Sequence, residues 1–264
     1  MYFEHNHIYK LNIYYILLKR LFGITVNKVL GVSIFVLNGN FYEKSLFLLL
    51  PLVVTNAHAV YVDVRHEYLD DSKANYDRAY ISHRFANGFG FAIEAISKSG
   101  GDDTDRPFND LEVQGNEYTV SYQFKTGEVA WQPGFVLETG NGYSNYKPYL
   151  RATWTLNESW WVGARYRFEY VRRSSDARED DTVNRMDAWV DYKWNNFDWT
   201  IEGIYKKADK YNLYDGGKDN YEYNFRTAYA IGQWTPFVEV GNVSVNSTSD
   251  ERQTRFRVGL GYTF

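Results

Sequence analysis

The sequence predicts an all-β protein, a 12-stranded antiparallel up-and-down transmembrane β-barrel of the outer-membrane type, preceded by a signal peptide. Three observations lead to this prediction. From Val60 to Phe264, polar and apolar residues alternate with period 2, as in strands that have two different faces. Short and long connections alternate between the strands, and the strand charges are predicted to lie on one face. This combination is typical of bacterial membrane barrels, which have an even number of strands.

The segment before the barrel has the pattern of a secretory signal peptide. Lys44 precedes an apolar run, and the run is followed by Ala57-His58-Ala59, an A-x-A cleavage sequence. We therefore predict a signal peptide at residues 42–59, with Ala59 as the last residue removed. Signal peptides usually span about 15–30 residues, so residues 1–41 are an unassigned extension, and we expect translation to begin at an internal codon.

Twelve alternating segments follow, and they are predicted to form one barrel domain over residues 60–264. In the last segment, RQTRFRVGLGYTF, arginine and glycine occupy one face, and aromatic or aliphatic residues occupy the other. The segment ends on Phe264, which resembles the signal that the barrel-assembly machinery recognises. The predicted strands are residues 60–68, 77–85, 88–98, 117–125, 129–138, 146–156, 160–171, 184–194, 197–207, 220–231, 234–243 and 252–264.

The connections indicate which end of each strand lies at which rim. After the even-numbered strands they are short, as in residues 195–196 and 232–233. After the odd-numbered strands they are mostly longer and polar, as in residues 99–116 and 172–182. Short turns at one rim and long loops at the other are typical of an up-and-down membrane barrel, whereas Greek-key sandwiches have no reason to alternate in this way.

Charge placement indicates which face is outside. The phase that contains Val62, Ile81, Val190 and Val258 is predicted to carry no Asp, Glu, Lys or Arg in any strand. A charge facing lipid costs about 2–4 kcal/mol at the bilayer midplane, so this apolar phase is predicted to face lipid. The opposite phase, which carries the strand charges, is predicted to face a water-filled lumen.

Three prolines fall within the alternating segments. A proline cannot donate a hydrogen bond to a strand ladder. Pro133, Pro148 and Pro236 are therefore expected to mark strand starts or bulges at a rim of the barrel.

Catalytic and metal-binding functions find little support. Cysteine is absent, and the predicted mature chain has two histidines, His66 and His83, both on the apolar phase. Ser82 lies beside His83, but adjacent strand residues point to opposite faces, so they cannot form a nucleophile–base pair. Neither a G-x-S-x-G motif nor a metal-ligand cluster is present. We expect no catalytic residue, no metal and no cofactor, and we interpret the Asp102–Asp110 acidic cluster as a solvated loop.

Basic residues on the polar phase carry the functional signal. Their number exceeds that of the acids on the same phase, although the chain is acidic overall with a formal net charge of −4. Arginine binds carboxylates with two parallel hydrogen bonds, and rings of basic residues select anions in pores. Tyr80, Tyr149, Trp161 and Trp189 on this phase offer stacking surfaces for sugar rings. The predicted pore-lining residues are Arg65, Arg78, Arg84, Lys125, Lys147, Arg151, Arg165, Arg167, Arg185, Lys193, Lys206, Arg226, Arg255 and Arg257.

Several sequence blocks resemble one known family. They include NDLEVQGNEYTVSYQF, YKPYLRATWTL, GARYRFEY, VNRMDAWVDYKWNNF, WTPFVEVGNV and DERQTRFRVGLGYTF. In this order they resemble the oligogalacturonate-specific porins of enterobacteria, the KdgM family, which includes a sialic-acid-induced channel. The resemblance covers residues 60–264 and implies a monomeric outer-membrane channel for acidic saccharides. It implies pore-lining roles for Arg151, Arg165, Arg167, Arg185, Arg255 and Arg257.

The leading hypothesis is a passive channel of a Gram-negative outer membrane for acidic oligosaccharides, with oligogalacturonates as the first candidate. The alternatives are a channel for sialic acid or other acidic sugars, and a non-conducting structural or adhesion barrel whose lumen is closed by salt bridges. The expected partners are the saccharide, outer-membrane lipid and lipopolysaccharide, and the barrel-assembly machinery during insertion. No nucleic acid is expected.

Overall fold

The computed structural model describes residues 60–174 and 179–264 in full, and the backbone of residues 24–29 and 32–37. The chain divides into two units, Met1–Ala57 and His58–Phe264. In the first unit, Ile24–Val29 and Val32–Leu37 pair as antiparallel strands. The predicted signal peptide at residues 42–59, including its cleavage site after Ala59, lies outside the described residues. None of the described residues belongs to a helix long and apolar enough to cross a membrane.

The second unit is a closed barrel of twelve antiparallel strands, as predicted. Each strand pairs with its neighbours in sequence, and the last strand pairs with the first, which closes the sheet. The strands are β1 (Tyr61–Leu69), β2 (Asn75–Arg84), β3 (Phe89–Lys98), β4 (Glu112–Tyr122, continued by Phe124–Thr126), β5 (Val129–Gly140), β6 (Tyr143–Thr155), β7 (Trp160–Arg173), β8 (Asp181–Trp194), β9 (Phe197–Ala208), β10 (Asp219–Tyr229), β11 (Trp234–Ser244) and β12 (Arg252–Thr263).

The connections form a short-turn rim and a long-loop rim, with one departure from the prediction. The connection between β5 and β6, expected to be longer, consists of Asn141 and Gly142 alone, because both strands extend farther than predicted. Gly142 has a φ of 79°, which suits a tight turn. Short turns face the periplasm in outer-membrane barrels, so the long-loop rim is the extracellular one.

The outer face of the barrel is apolar, as predicted. Large apolar side chains alternate along each strand with inward-facing residues, and many are highly exposed, including Val120 at 60% and Ile201 at 62%. At the short-turn rim, aromatic rings form a continuous cluster, with Trp160 and Tyr192 centroids 4.5 Å apart and Phe197 and Trp199 centroids 5.2 Å apart. Aliphatic bands bordered by aromatic residues are the surface that a bilayer requires of a barrel.

The expectation that this outer face carries no charge in any strand is wrong at the long-loop rim. Asp77 of β2 falls on the lipid-facing phase, and its Oδ1 lies 2.8 Å from His66 Nδ1. Lys207 of β9 and Asp219 of β10 also lie on this phase, with Nζ and Oδ1 3.9 Å apart. The exceptions occur where strands reach the extracellular rim, because a charge there costs only about 0–1 kcal/mol.

The proline prediction is confirmed for Pro236 and wrong for the other two. Pro236 is the third residue of β11. Pro133 and Pro148 instead lie inside β5 and β6, each beside a gap in one ladder. The β4–β5 pairing passes from Ser121↔Gly134 to Phe124↔Trp131, and the β6–β7 pairing passes from Tyr149↔Arg167 to Tyr146↔Tyr170. A proline is tolerated inside a strand where one neighbouring strand forms no ladder hydrogen bonds with it, because proline has no N–H to donate.

Hydrogen bonds tie the extracellular loops together. The buried carboxylate of Asp181 accepts bonds from the backbone N–H groups of Lys210 and Tyr211, both at 2.9 Å. Asp180, at the edge of the same loop, accepts a 2.6 Å bond from the Tyr170 hydroxyl and a 2.8 Å bond from the Arg173 N–H. These bonds favour the charged carboxylate, so they lower the pKa of Asp180 below its usual value.

Candidate functional site: the barrel lumen

The interior of the barrel is lined by charged and polar side chains rather than by an apolar core. Asp187 is completely buried, and Arg167 is only 6% exposed. Because alternate residues of each strand face inward, the charged phase predicted from the sequence forms this lining. Burying so many charges requires that most be paired or hydrated.

Nine of the fourteen predicted pore-lining cations lie next to carboxylates. Arg257 contacts Glu67 at 2.6 Å and Glu239 at 2.7 Å. Lys147 lies 2.9 Å from Glu117. The other seven cations form these ion pairs: Arg65 with Asp63, Arg78 with Glu94, Arg165 and Arg185 with Asp187, Arg167 with Glu169, Lys206 with Glu222, and Arg255 with Glu222. Much of the basic surplus predicted for the lumen is therefore locally neutralised.

Basic residues nevertheless lie side by side on β6–β9, a group that we call the basic arc. Arg167 of β7 is directly opposite Arg185 of β8, which is directly opposite Lys206 of β9. One pleat nearer the short-turn rim, Arg151 of β6 is opposite Arg165 of β7. Like charges opposite one another destabilise a sheet. Asp187 offsets part of this repulsion, since its two oxygens lie 2.6 Å and 2.8 Å from Arg185 and Arg165.

The opposite wall alternates in sign instead. Across β10, β11, β12 and β1, the directly paired residues are Arg226, Glu239, Arg257 and Glu67. Opposite charges on neighbouring strands stabilise a sheet, so this alternating row is a structural seam that joins the last strand to the first. The sequence prediction treated Arg257 in the same way as Arg165, whereas the structure places the two residues in different electrostatic surroundings.

Five predicted cations have no carboxylate oxygen within 4.0 Å among the described residues. Lys125 and Lys193 are exposed near the short-turn rim. Arg84 donates to the Gly88 carbonyl at 2.8 Å and to Ser121 Oγ at 3.1 Å. Arg151 and Arg226 lie over aromatic rings, each with its guanidinium carbon 4.4 Å from a ring centroid. The un-neutralised positive charge thus lies mainly in the periplasmic half.

Glycines on neighbouring strands let lumenal rings lie flat against the wall. Trp189 is paired with Gly163, where a Cβ atom would come within 2.2 Å of the indole. Phe237 is paired with Gly259, and a Cβ there would come within 2.2 Å of the phenyl ring. These strand glycines therefore allow close packing of the rings. A ring that lies flat leaves more of the lumen open.

Gly163→Ala is expected to lower single-channel conductance, because its methyl group would push the Trp189 ring into the lumen. Overpacking of this kind typically costs about 1–3 kcal/mol, so the thermal stability of the folded barrel should also fall. Gly203→Ala is the control for a glycine-to-alanine change within a strand, since Gly203 is on the lipid-facing phase and a Cβ there meets nothing closer than 3.9 Å. Equal conductance in the two variants would contradict this packing account.

Two of the cavities that the described residues enclose lie in the lumen. One, of about 250 Å³, is lined by Arg151, Trp189 and Arg226, among others. The second, of about 390 Å³, is lined by Arg84, Tyr149 and Arg167, among others. Arg151 and Arg165 line both cavities, so the basic arc forms a wall common to them.

The histidines lie where the sequence placed them, on the outward phase. His66 contacts Asp77, and the His83 ring packs against Phe85 with centroids 4.5 Å apart. Within residues 60–174 and 179–264, no group of three or more His, Cys, Asp or Glu side chains is arranged to hold a metal ion. Phe237 was not among the predicted site residues, because its pairing with Gly259 depends on strand register, which the alternation of residues does not specify.

A closed barrel with a lipid-compatible exterior and a charged, cavity-containing interior defines a diffusion channel of a Gram-negative outer membrane. Comparison with known proteins identifies its family. The model described as "Oligogalacturonate-specific porin protein (KdgM)" matches residues 53–264. The chain therefore belongs to the KdgM family of porins, whose members are channels rather than enzymes.

Individual relatives agree with this assignment. The chain is 90% identical over 222 residues to "Uncharacterized protein YiiY" of Salmonella typhimurium, covering 84% of this chain and 98% of that protein. It is 40% identical over 225 residues to "Oligogalacturonate-specific porin KdgM" of Dickeya dadantii, covering 81% and 95%. The solved structure of a KdgM porin in complex with disordered oligogalacturonate matches with a TM-score of 0.59 and 32% identity, covering 77% of this chain and 99% of that one.

Proposed function

We propose that this channel conducts anionic saccharides, with short oligogalacturonates as its principal class of substrate. The observation that carries the proposal is the basic arc, in which Arg167, Arg185 and Lys206 follow one another across three strands and Arg151 faces Arg165. Sheets normally avoid like-charged neighbours, so a functional demand for positive charge explains this arrangement better than folding does. The substrate named for the Dickeya dadantii relative agrees with it.

The chemistry of the arc suits a polymer that carries one carboxylate per sugar. A guanidinium group offers two parallel donors to a carboxylate, and neighbouring basic residues offer the next contact along the path. Conduction requires sites that release as well as bind. Asp187 contributes here, because it competes for Arg165 and Arg185 and so weakens their hold on a passing carboxylate.

The proposal is tested by recording the purified channel in a planar bilayer. A KCl gradient is expected to give a reversal potential of the sign for anion selectivity, and trigalacturonate is expected to reduce the current in a concentration-dependent manner. Neutral galactose and N-acetylneuraminate are measured in parallel. Stronger reduction by N-acetylneuraminate than by trigalacturonate would assign the channel to sialic acid. A channel without anion selectivity that neither acidic sugar affects would refute the proposal.

A further inference from the structure

Two lumenal arginines are held by aromatic rings rather than by carboxylates. The Arg151 guanidinium carbon lies 4.4 Å from the Trp189 ring centroid, and the Arg226 guanidinium carbon lies 4.4 Å from the Phe237 ring centroid. Each ring lies flat over a paired glycine, Gly163 or Gly259. The same three-part stack thus occurs twice, on β6–β8 and on β10–β12.

Available carboxylates do not neutralise these arginines. Glu239 is directly opposite Arg226 in the sheet, yet Glu239 contacts Arg257 at 2.7 Å. Asp191 and Glu202 line the same cavity as Arg151. Within the described part of the chain, their side-chain hydrogen bonds come from the Thr200 hydroxyl and the Asn224 amide. The rings therefore hold positive charge in place where an ion pair would have cancelled it.

Stacking also leaves the donors that a carboxylate needs. A guanidinium group stacks through its flat face, whereas its N–H groups point outward in the plane. Among the described residues, the hydrogen bonds of these two guanidinium groups comprise only the one from Arg151 Nε to Thr153 Oγ1, at 3.4 Å. Both arginines line the same cavity of about 250 Å³. Pockets that enclose drug-sized ligands are typically ~300–1,000 Å³, so this cavity fits a single sugar acid.

We propose that Arg151 and Arg226 form a carboxylate-binding subsite in the periplasmic half of the lumen, and that Trp189 and Phe237 are positioning residues that keep it charged. The subsite rests on the proposed function and deepens it. In this proposal, two uncharged rings determine the anion selectivity of the channel. Without the rings, the arginines would turn toward Asp191 and Glu202, and the subsite would be neutralised.

The test changes the rings and leaves every charge in place. Trp189→Leu combined with Phe237→Leu is expected to lower the chloride-to-potassium permeability ratio and the apparent affinity for sodium galacturonate. The expected loss is about three- to tenfold, in line with the loss of two weak cation–π contacts. Tyr61→Leu is the control, because this lumenal ring also packs against a glycine, Gly261, but has no cation over it among the described residues. Neutral galactose should affect the current equally in the wild type and in all variants.

A second variant guards against a folding defect. Arg151→Lys with Arg226→Lys also conserves charge but removes the planar group that stacks, so the same losses are expected. Heat-modifiable mobility on gels verifies that each barrel has folded. If both double variants match Tyr61→Leu and the wild type in selectivity and galacturonate affinity, and the wild type is anion-selective, the subsite is refuted and the proposed function stands. A wild-type channel that lacks anion selectivity and that neither acidic sugar affects would refute both.

Discussion

Replacing Val190 by arginine is expected to prevent a stable barrel from accumulating in the outer membrane. Val190 is 40% exposed on the outer face of β8, between Val162 of β7 and Ile201 of β9. An arginine that faces lipid costs about 2–4 kcal/mol at the midplane and less toward the rims. The free energy of unfolding of a folded protein is typically about 5–15 kcal/mol, so the cost of a lipid-facing arginine is a large fraction of it. The measurement is the amount of heat-modifiable protein in purified outer membranes.

The neighbouring position provides the control. Asp191 faces the lumen, where its Oδ1 accepts a 2.6 Å hydrogen bond from the Thr200 hydroxyl. Asp191→Asn keeps an acceptor oxygen at this place, so normal assembly is expected. Normal assembly of Val190→Arg as well would mean that this face of β8 is not in contact with lipid, and the orientation of the barrel wall would have to be revised.

Removing charge from the basic arc is expected to have the largest effect on selectivity. Arg165→Gln with Arg167→Gln deletes two positive charges and takes from Asp187 one of its two partners, which leaves Arg185 alone beside it. The local anion concentration should fall accordingly. We expect the anion-to-cation permeability ratio to drop by about tenfold at 0.01 M salt, where charges act over ~30 Å. The reversal potential in a salt gradient measures it.

The alternating row offers a charge-neutral control. Arg257→Gln with Glu239→Gln removes one positive and one negative charge from the opposite wall, so the lumen keeps its net charge. Selectivity is expected to stay close to that of the wild type, although stability should fall because the seam between β11, β12 and β1 loses its contacts. A similar loss of selectivity in both double variants would show that the basic arc has no special role. At 1 M salt, where charges are screened within ~3 Å, the two double variants should have the same permeability ratio.

The sequence alone determined the number of strands, the outward face of each strand and the family. Alternation is local, because a strand turns successive side chains to opposite sides, and lipid excludes charge from one of them. The phase of Val190 and Asp191 therefore follows without knowledge of any neighbouring strand. The rule that the lipid-facing phase carries no charge failed for Asp77 and Lys207. The position of a residue along the membrane normal depends on strand length and not on phase.

Only the tertiary structure decided which cations are neutralised. A shift of two residues between neighbouring strands keeps every side chain on its face but changes all its partners. Alternation therefore could not show that Arg257 meets Glu67 across the closing seam, or that Arg167 meets Arg185. The stacks on Trp189 and Phe237 also depend on register, because each ring needs a glycine directly opposite it. Pairing across strands is a property of the closed sheet, so it was decided by the fold.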